Sequence, residues 1–147
     1  ILGGGASSRL YQSLVKEKQL FSNINCYHFG TIEPGLLTIE GKLIKGVTMQ
    51  EAENAIEEEL VQLKSNKVAE TELQKTINRT ESMIAFEDVS VASRANSLAL
   101  YELLGDVELI NTEFSKFQEV TVNDIQNYAQ KIFETNNSST IHYYSNN

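Results

Sequence analysis

Ile1-Leu2-Gly3-Gly4-Gly5-Ala6-Ser7-Ser8-Arg9-Leu10-Tyr11-Gln12 opens the chain on three consecutive glycines that run straight into a helix start. Bare glycine backbone before a helix N-terminus leaves unpaired N–H groups and a partial positive charge facing outward. Such a loop suits an anion, a carbonyl oxygen or an extended peptide. It lacks the lysine and the spacing of a phosphate-binding loop. Gly3, Gly4, Gly5, Ser7, Ser8 and Arg9 are therefore the candidate ligand-binding residues. The competing reading of the same residues is a plain connector between two helices. Leu2 followed by glycines resembles the last turn of a helix and its stop, which suggests a piece of a longer protein.

Outward from this loop, Ser7 or Ser8 can cap a helix to about Lys18, with Leu10 and Leu14 on one stripe. Phe21 to Phe29 and Leu36 to Ile44 read as a hairpin around a turn at Thr31-Ile32-Glu33-Pro34-Gly35. In the second strand, Leu37, Ile39 and Leu43 alternate with Thr38, Glu40 and Lys42. Thr48 with Glu51 forms a capping box for a helix to about Lys64, striped by Ala52, Ile56, Leu60 and Leu63. Helices follow over 69–86, from Ser90 to a Gly105 stop, after Asp106, and from a Thr121/Asp124 cap. Ser138 to Tyr144 reads as a terminal strand. The pattern is α+β, an antiparallel sheet covered by helices on one face, with residues 1–147 as a single domain fragment truncated at its N-terminus.

Composition narrows the function. Twelve Lys and Arg against twenty Asp and Glu leave a net charge of -8. That balance disfavours a nucleic acid or an anionic membrane as partner. No apolar run approaches the ~20 residues of a membrane-spanning helix. The run Glu57-Glu58-Glu59 reads as a solvated helix face or a docking surface for a basic partner. His28 and His142 lie far apart and Cys26 is the single cysteine, so neither zinc-ligand spacing nor an activated nucleophile is present. No catalytic or metal-ligating residue is assigned. The hairpin's free edge and positions such as Leu37 and Ile39 make self-association of the chain an expectation. The compartment, bacterial cytoplasm or periplasm, is not set by these residues.

The opening stretch resembles the LGGG-x-SSRLYQ segment of the pitrilysin or insulinase-like zinc peptidases, the M16 family. The likeness continues through Leu14-Val15-Lys16-Glu17-Lys18-Gln19-Leu20. It returns at Tyr101-Glu102-Leu103-Leu104-Gly105-Asp106, like the family's YELLGD turn, and at Phe117 to Gln126, like its AVTAEDIQ helix entry. The resemblance implies the C-terminal, non-zinc-binding domain of such a metallopeptidase, one half-shell of a clamshell around a peptide. It implies that zinc sits on another domain or subunit, which becomes the expected partner, and that this chain holds substrate while lacking cofactor and activity of its own. Relatives carry an Arg and, seven residues on, a Tyr that assist at the scissile carbonyl; Val15 and Ser22 stand at those places here, while Arg9 and Tyr11 do not occupy them. The alternative implied by the same family is a catalytically silent structural or interaction subunit.

Overall fold

A computed structural model describes residues 1–30, 35–87 and 89–144. They divide into two compact units, one of Ile1–Lys67 with the chain from Gln126 onward, the other Val68–Ile125. The expected turn at 31–34 lies outside the described residues.

The first unit is built on the hairpin. Strands β1 (Phe21–Phe29) and β2 (Leu36–Leu43) pair antiparallel, as their β-branched and aromatic content predicts. Their register shifts between Phe21 and Asn23, making Ser22 the extra residue of a bulge. Strict alternation would put Phe21 and Ile24 on opposite faces; the bulge brings both to one face, and both are buried. Ser22 Oγ donates to the Lys42 carbonyl at 3.0 Å, satisfying a backbone acceptor at the irregularity. Gly41 lies beneath Phe21: a Cβ there would stand 2.6 Å from ring atoms Cδ1 and Cε1. Leu37, expected on the buried face, is 39% exposed, because burial concentrates at the bulged end of the hairpin.

The helix before β1 departs from expectation. It starts at Arg9, and Tyr11–Glu17 is a π-helix with no side-chain cap, so neither Ser7 nor Ser8 serves as one. The helix packs against β1. Leu10 and Leu14 from this helix are the largest fully buried side chains and complete the core with Leu2, Phe21 and Ile24.

Helix α1 (Met49–Ser65) begins as predicted, with Thr48 Oγ1 accepting from the Glu51 N–H at 3.2 Å. Its buried face is Ala52, Ala55, Glu59 and Leu63, rotated from the predicted stripe so that Ile56 and Leu60 are only half-buried. The triple-glutamate run is accordingly not one solvated face. Glu59 is 7% exposed and accepts from Ser13 Oγ at 2.6 Å, Glu58 pairs with Lys18 at 2.6 Å, and Glu57 lies 3.7 Å from Lys64. Helix α5 (Val122–Ile132) is tied to the end of α1 by Gln126 and Gln130 donating to the Lys64 carbonyl, while Lys64 Nζ reaches the Phe133 carbonyl at 2.9 Å.

The expected strand at Ser138–Tyr144 is absent: the segment makes no ladder with the described residues, and Ile141 and Tyr143 are nearly fully exposed. Its residues have the β-like alternation, but a strand exists only where an edge accepts its hydrogen bonds. A short 3-10 turn, Thr135–Asn137, precedes it, and His142 Nε2 lies 3.0 Å from Glu53 Oε1 on α1.

The second unit holds α2 (Glu70–Glu87), α3 (Val91–Leu103) and α4 (Leu109–Gln118). Ser90 caps α3 by accepting from the Ser93 N–H at 3.3 Å. Gly105, at φ +93°, closes it: its N–H bonds the Glu102 carbonyl and that of Asp106 the Tyr101 carbonyl, the paired bonds of a Schellman ending. Among the described residues α3 and α4 bury no side chain fully, and Leu98, Leu100, Leu103 and Leu104 of the α3 region are exposed. At the start of α5, Thr121 and Asp124 cap reciprocally: Asp124 N–H donates to Thr121 Oγ1 and the Thr121 N–H to Asp124 Oδ2 at 2.9 Å.

Two predictions follow from this packing. Gly41→Ala drives a methyl group into the Phe21 ring, and because Phe21 is buried the ring has little room to give; unfolding free energy should fall by about 1–3 kcal/mol in denaturant titrations. The second concerns Asp124, whose carboxyl is held below the usual aspartate range by the Thr121 hydroxyl and then the Thr121 N–H. A depressed folded pKa gives stability that is present above the ordinary aspartate value and lost as pH falls through the folded one. Carboxyl titration followed by NMR should show Asp124 moving up toward ordinary aspartate in Thr121→Ala, with less acid-side loss of stability than in the parent sequence.

Candidate functional site: the glycine loop

Three glycines make this loop, each under a different demand. Gly3 runs against β1: a Cβ there would fall 2.5 Å from the Cys26 amide nitrogen and Cβ, and closer still to its carbonyl oxygen. Gly4 and Gly5 take φ of +91° and +139°, a region that L side chains rarely enter. The chain thus touches the strand, turns away through left-handed geometry, and returns. Ser8 N–H bonds the Gly5 carbonyl at 3.0 Å, Arg9 N–H bonds the Ile1 carbonyl at 3.0 Å, and Leu10 N–H bonds the Leu2 carbonyl at 3.2 Å. The Gln12 side-chain amide donates to the Ala6 carbonyl. The loop is a closed, hydrogen-bonded ring rather than a floppy connector.

This geometry sorts the six candidate residues. Gly4, Gly5 and Ser7 face solvent at the tip. Gly3 is half-buried against Cys26, and Arg9 is half-buried at the start of the helix. Ser8 is buried, its carbonyl accepting from the Gln12 N–H at 3.0 Å, so it supports the loop from within. What remains open at the tip is bare backbone and one hydroxyl, groups that can hydrogen-bond a peptide; among the described residues no base is bonded to the Ser7 hydroxyl to activate it as a nucleophile.

The chemistry-bearing side chains elsewhere do not converge on it. Burial pushes the Cys26 thiol up from its ordinary value, so the nucleophilic thiolate is disfavoured. His28 follows Cys26 on the same face of β1, since pairing opposite Ile39 and Leu37 puts both on one side. His142 is held at Glu53 on α1. Among the described residues no group of three His, Cys, Asp or Glu is placed to hold a metal ion. A catalytic zinc needs about three protein ligands and an open position, and these donors do not fit it. Val15 is half-buried on the π-helix, and Ser22 spends its hydroxyl on the Lys42 carbonyl. Tyr11 lies 5.7 Å from Lys16 Nζ in a cation–π arrangement.

Sequence reasoning missed Ser13 and Glu59. The spacing of Ala52, Ala55, Glu59 and Leu63 carries the signal, since it places the glutamate on the same face as three apolar residues.

The Peptidase M16 inactive domain matches residues 1–80. Among curated proteins, the uncharacterized zinc protease YmxG of Bacillus subtilis (strain 168) is 25% identical over 134 residues, 90% of this chain and 32% of that protein. A protease from Helicobacter pylori superposes with a TM-score of 0.82 at 21% identity, covering 89% of this chain and 32% of that one. A candidate zinc protease from Bordetella pertussis Tohama I gives 0.83 at 22% identity, covering 98% of this chain and 79% of that one. The inactive peptidase domain of a candidate zinc protease from Bordetella parapertussis gives 0.78 at 22% identity, covering 89% and 70%. The chain spans about a third of YmxG and of the H. pylori protease, and at these identities the superpositions establish the fold. Since the family match takes in the glycine loop, the π-helix, the hairpin and α1, more than half of the residues, the chain belongs to the M16 peptidases as their inactive domain.

Proposed function

We propose that this chain is the metal-free half of an M16 zinc peptidase, closing the chamber and holding peptide while zinc sits on another domain or subunit. The observation that carries the reading is the glycine loop within the matched inactive domain, with Gly4, Gly5 and Ser7 exposed on a hydrogen-bonded frame. Exposed backbone N–H and C=O groups can pair with a peptide main chain without regard to its side chains. A zinc-bearing domain would supply the activated water. A second reading, a catalytically silent structural subunit whose partner protein takes the place of substrate, draws on Val15 and Ser22 at the positions where relatives carry Arg and Tyr.

In the full parent protein, or mixed with its zinc-bearing partner, the chain should support hydrolysis of a fluorogenic peptide that chelators abolish. The chain alone should bind no stoichiometric zinc by metal analysis and cleave nothing. Ser7→Ala should raise KM about threefold with an unchanged unfolding midpoint, because the hydroxyl is exposed and supports no packing. Zinc-free protein that stays inactive even with its cognate partner would move the assignment to the structural reading.

A further inference from the structure

Seven residues of π-helix are an uncommon route from a loop to a strand, since most π segments are single-turn bulges. The wide turn closes with Lys18 N–H bonded to the Ser13 carbonyl at 2.8 Å, five residues back, where an α-helix would use Leu14. Leu20 N–H then takes the Leu14 carbonyl at 2.9 Å, across Gln19, whose φ of +52° is left-handed for a residue with a side chain. Nothing within Tyr-Gln-Ser-Leu-Val-Lys-Glu forces this form, as it holds neither glycine nor proline. Outside the helix, Leu14 is fixed by packing in the β1 core, which leaves the opposite side of the turn to be held by other contacts.

Two contacts reach it from α1. Lys18 to Glu58 is solvent-exposed and by itself adds little. Ser13 to Glu59 differs: the carboxylate is buried, the bond is 2.6 Å long, and stripping a buried carboxylate of its donor costs more than an ordinary hydrogen bond. Removing the inserted residue of a π turn would rotate Ser13 by about 100° relative to the strand end, carrying its hydroxyl away from Glu59.

We propose that Glu59, acting through Ser13, locks the helix in its π register and thereby sets the position of the glycine loop. The loop is coupled to this helix at three points: Arg9 N–H to Ile1, Leu10 N–H to Leu2, and the Gln12 amide to Ala6. Glu59 is a positioning residue, and its consequence for peptide binding rests on the function proposed above.

The test uses the full parent protein. Crystal structures of Ser13→Ala and of the double variant Ser13→Ala/Glu59→Leu should show the Lys18 N–H moved from the Ser13 carbonyl to that of Leu14, with the loop displaced. Replacing both partners by apolar groups leaves no buried carboxylate unpaired, so the double variant decides if the single one fails to fold. Ser13→Thr keeps the hydroxyl and should keep the π register. With a fluorogenic peptide, Ser13→Ala should raise KM about fivefold with kcat nearly constant, and Ser13→Thr should restore it. A Lys18 N–H still bonded to Ser13 in the double variant overturns the lock. A shifted register with unchanged KM upholds the lock and removes the peptide-holding role of the loop.

Discussion

Phe21 and Ile24 are three residues apart on one strand, a spacing that a regular pleat sends to opposite faces. The bulge at Ser22 reverses this and gives the hairpin a single apolar end. Leu10 and Leu14 have a surface to pack on only because that end exists, and Phe21 can lie there only because position 41 has no side chain. The same strand then offers Cys26 to the backbone of Gly3, which anchors the loop where the family match begins. A short hairpin with one disordered alternation thus organises a helix, a loop and the first turn of the chain.

Helix α1 gathers the remaining pieces of that unit. Glu53, Glu57, Glu58 and Glu59 each meet a different segment or neighbour: His142, Lys64, Lys18 and Ser13. From Glu51 to Glu72 there are seven acids and two lysines, a concentration that composition alone makes repulsive. The geometry disperses it, because successive helical residues point about 100° apart and find separate partners. Only the Ser13 contact is buried, which is why it stands apart from the surface pairs in what it can restrain.

Local chemistry was readable at the later helix ends, though not at Ser7 and Ser8, which cap nothing. Thr48, Ser90 and Thr121 cap the helices they were expected to cap, and Gly105 ends α3 with the bonds its conformational freedom permits. The hairpin's strands also fall where their residues indicated. The α+β class and the M16 resemblance, carried by the glycine-serine stretch, are matched by the family and fold comparisons. What did not show was tertiary in origin. A π turn has no composition of its own, Glu59 is buried by what it meets rather than by what it is, and Ser138–Tyr144 has a strand's residues without a described edge to join. Glycines 4 and 5 illustrate the middle case: their adjacency marked a special loop, while the positive φ that makes them necessary emerges only from its closure onto Ile1 and Leu2.

Helix α3 carries a different implication. Thirteen residues with no fully buried side chain are held mainly by their own backbone ladder, a serine cap and a glycine ending. Such a segment opens on its own at a small fraction of the free energy needed to unfold the hairpin core, because little apolar surface is exposed in the process. Its amides therefore belong to the fast end of native-state hydrogen exchange, and a protease finds its first foothold there while Leu10 and Leu14 remain packed. Helix α3 and the hairpin core of one short chain live on separate clocks.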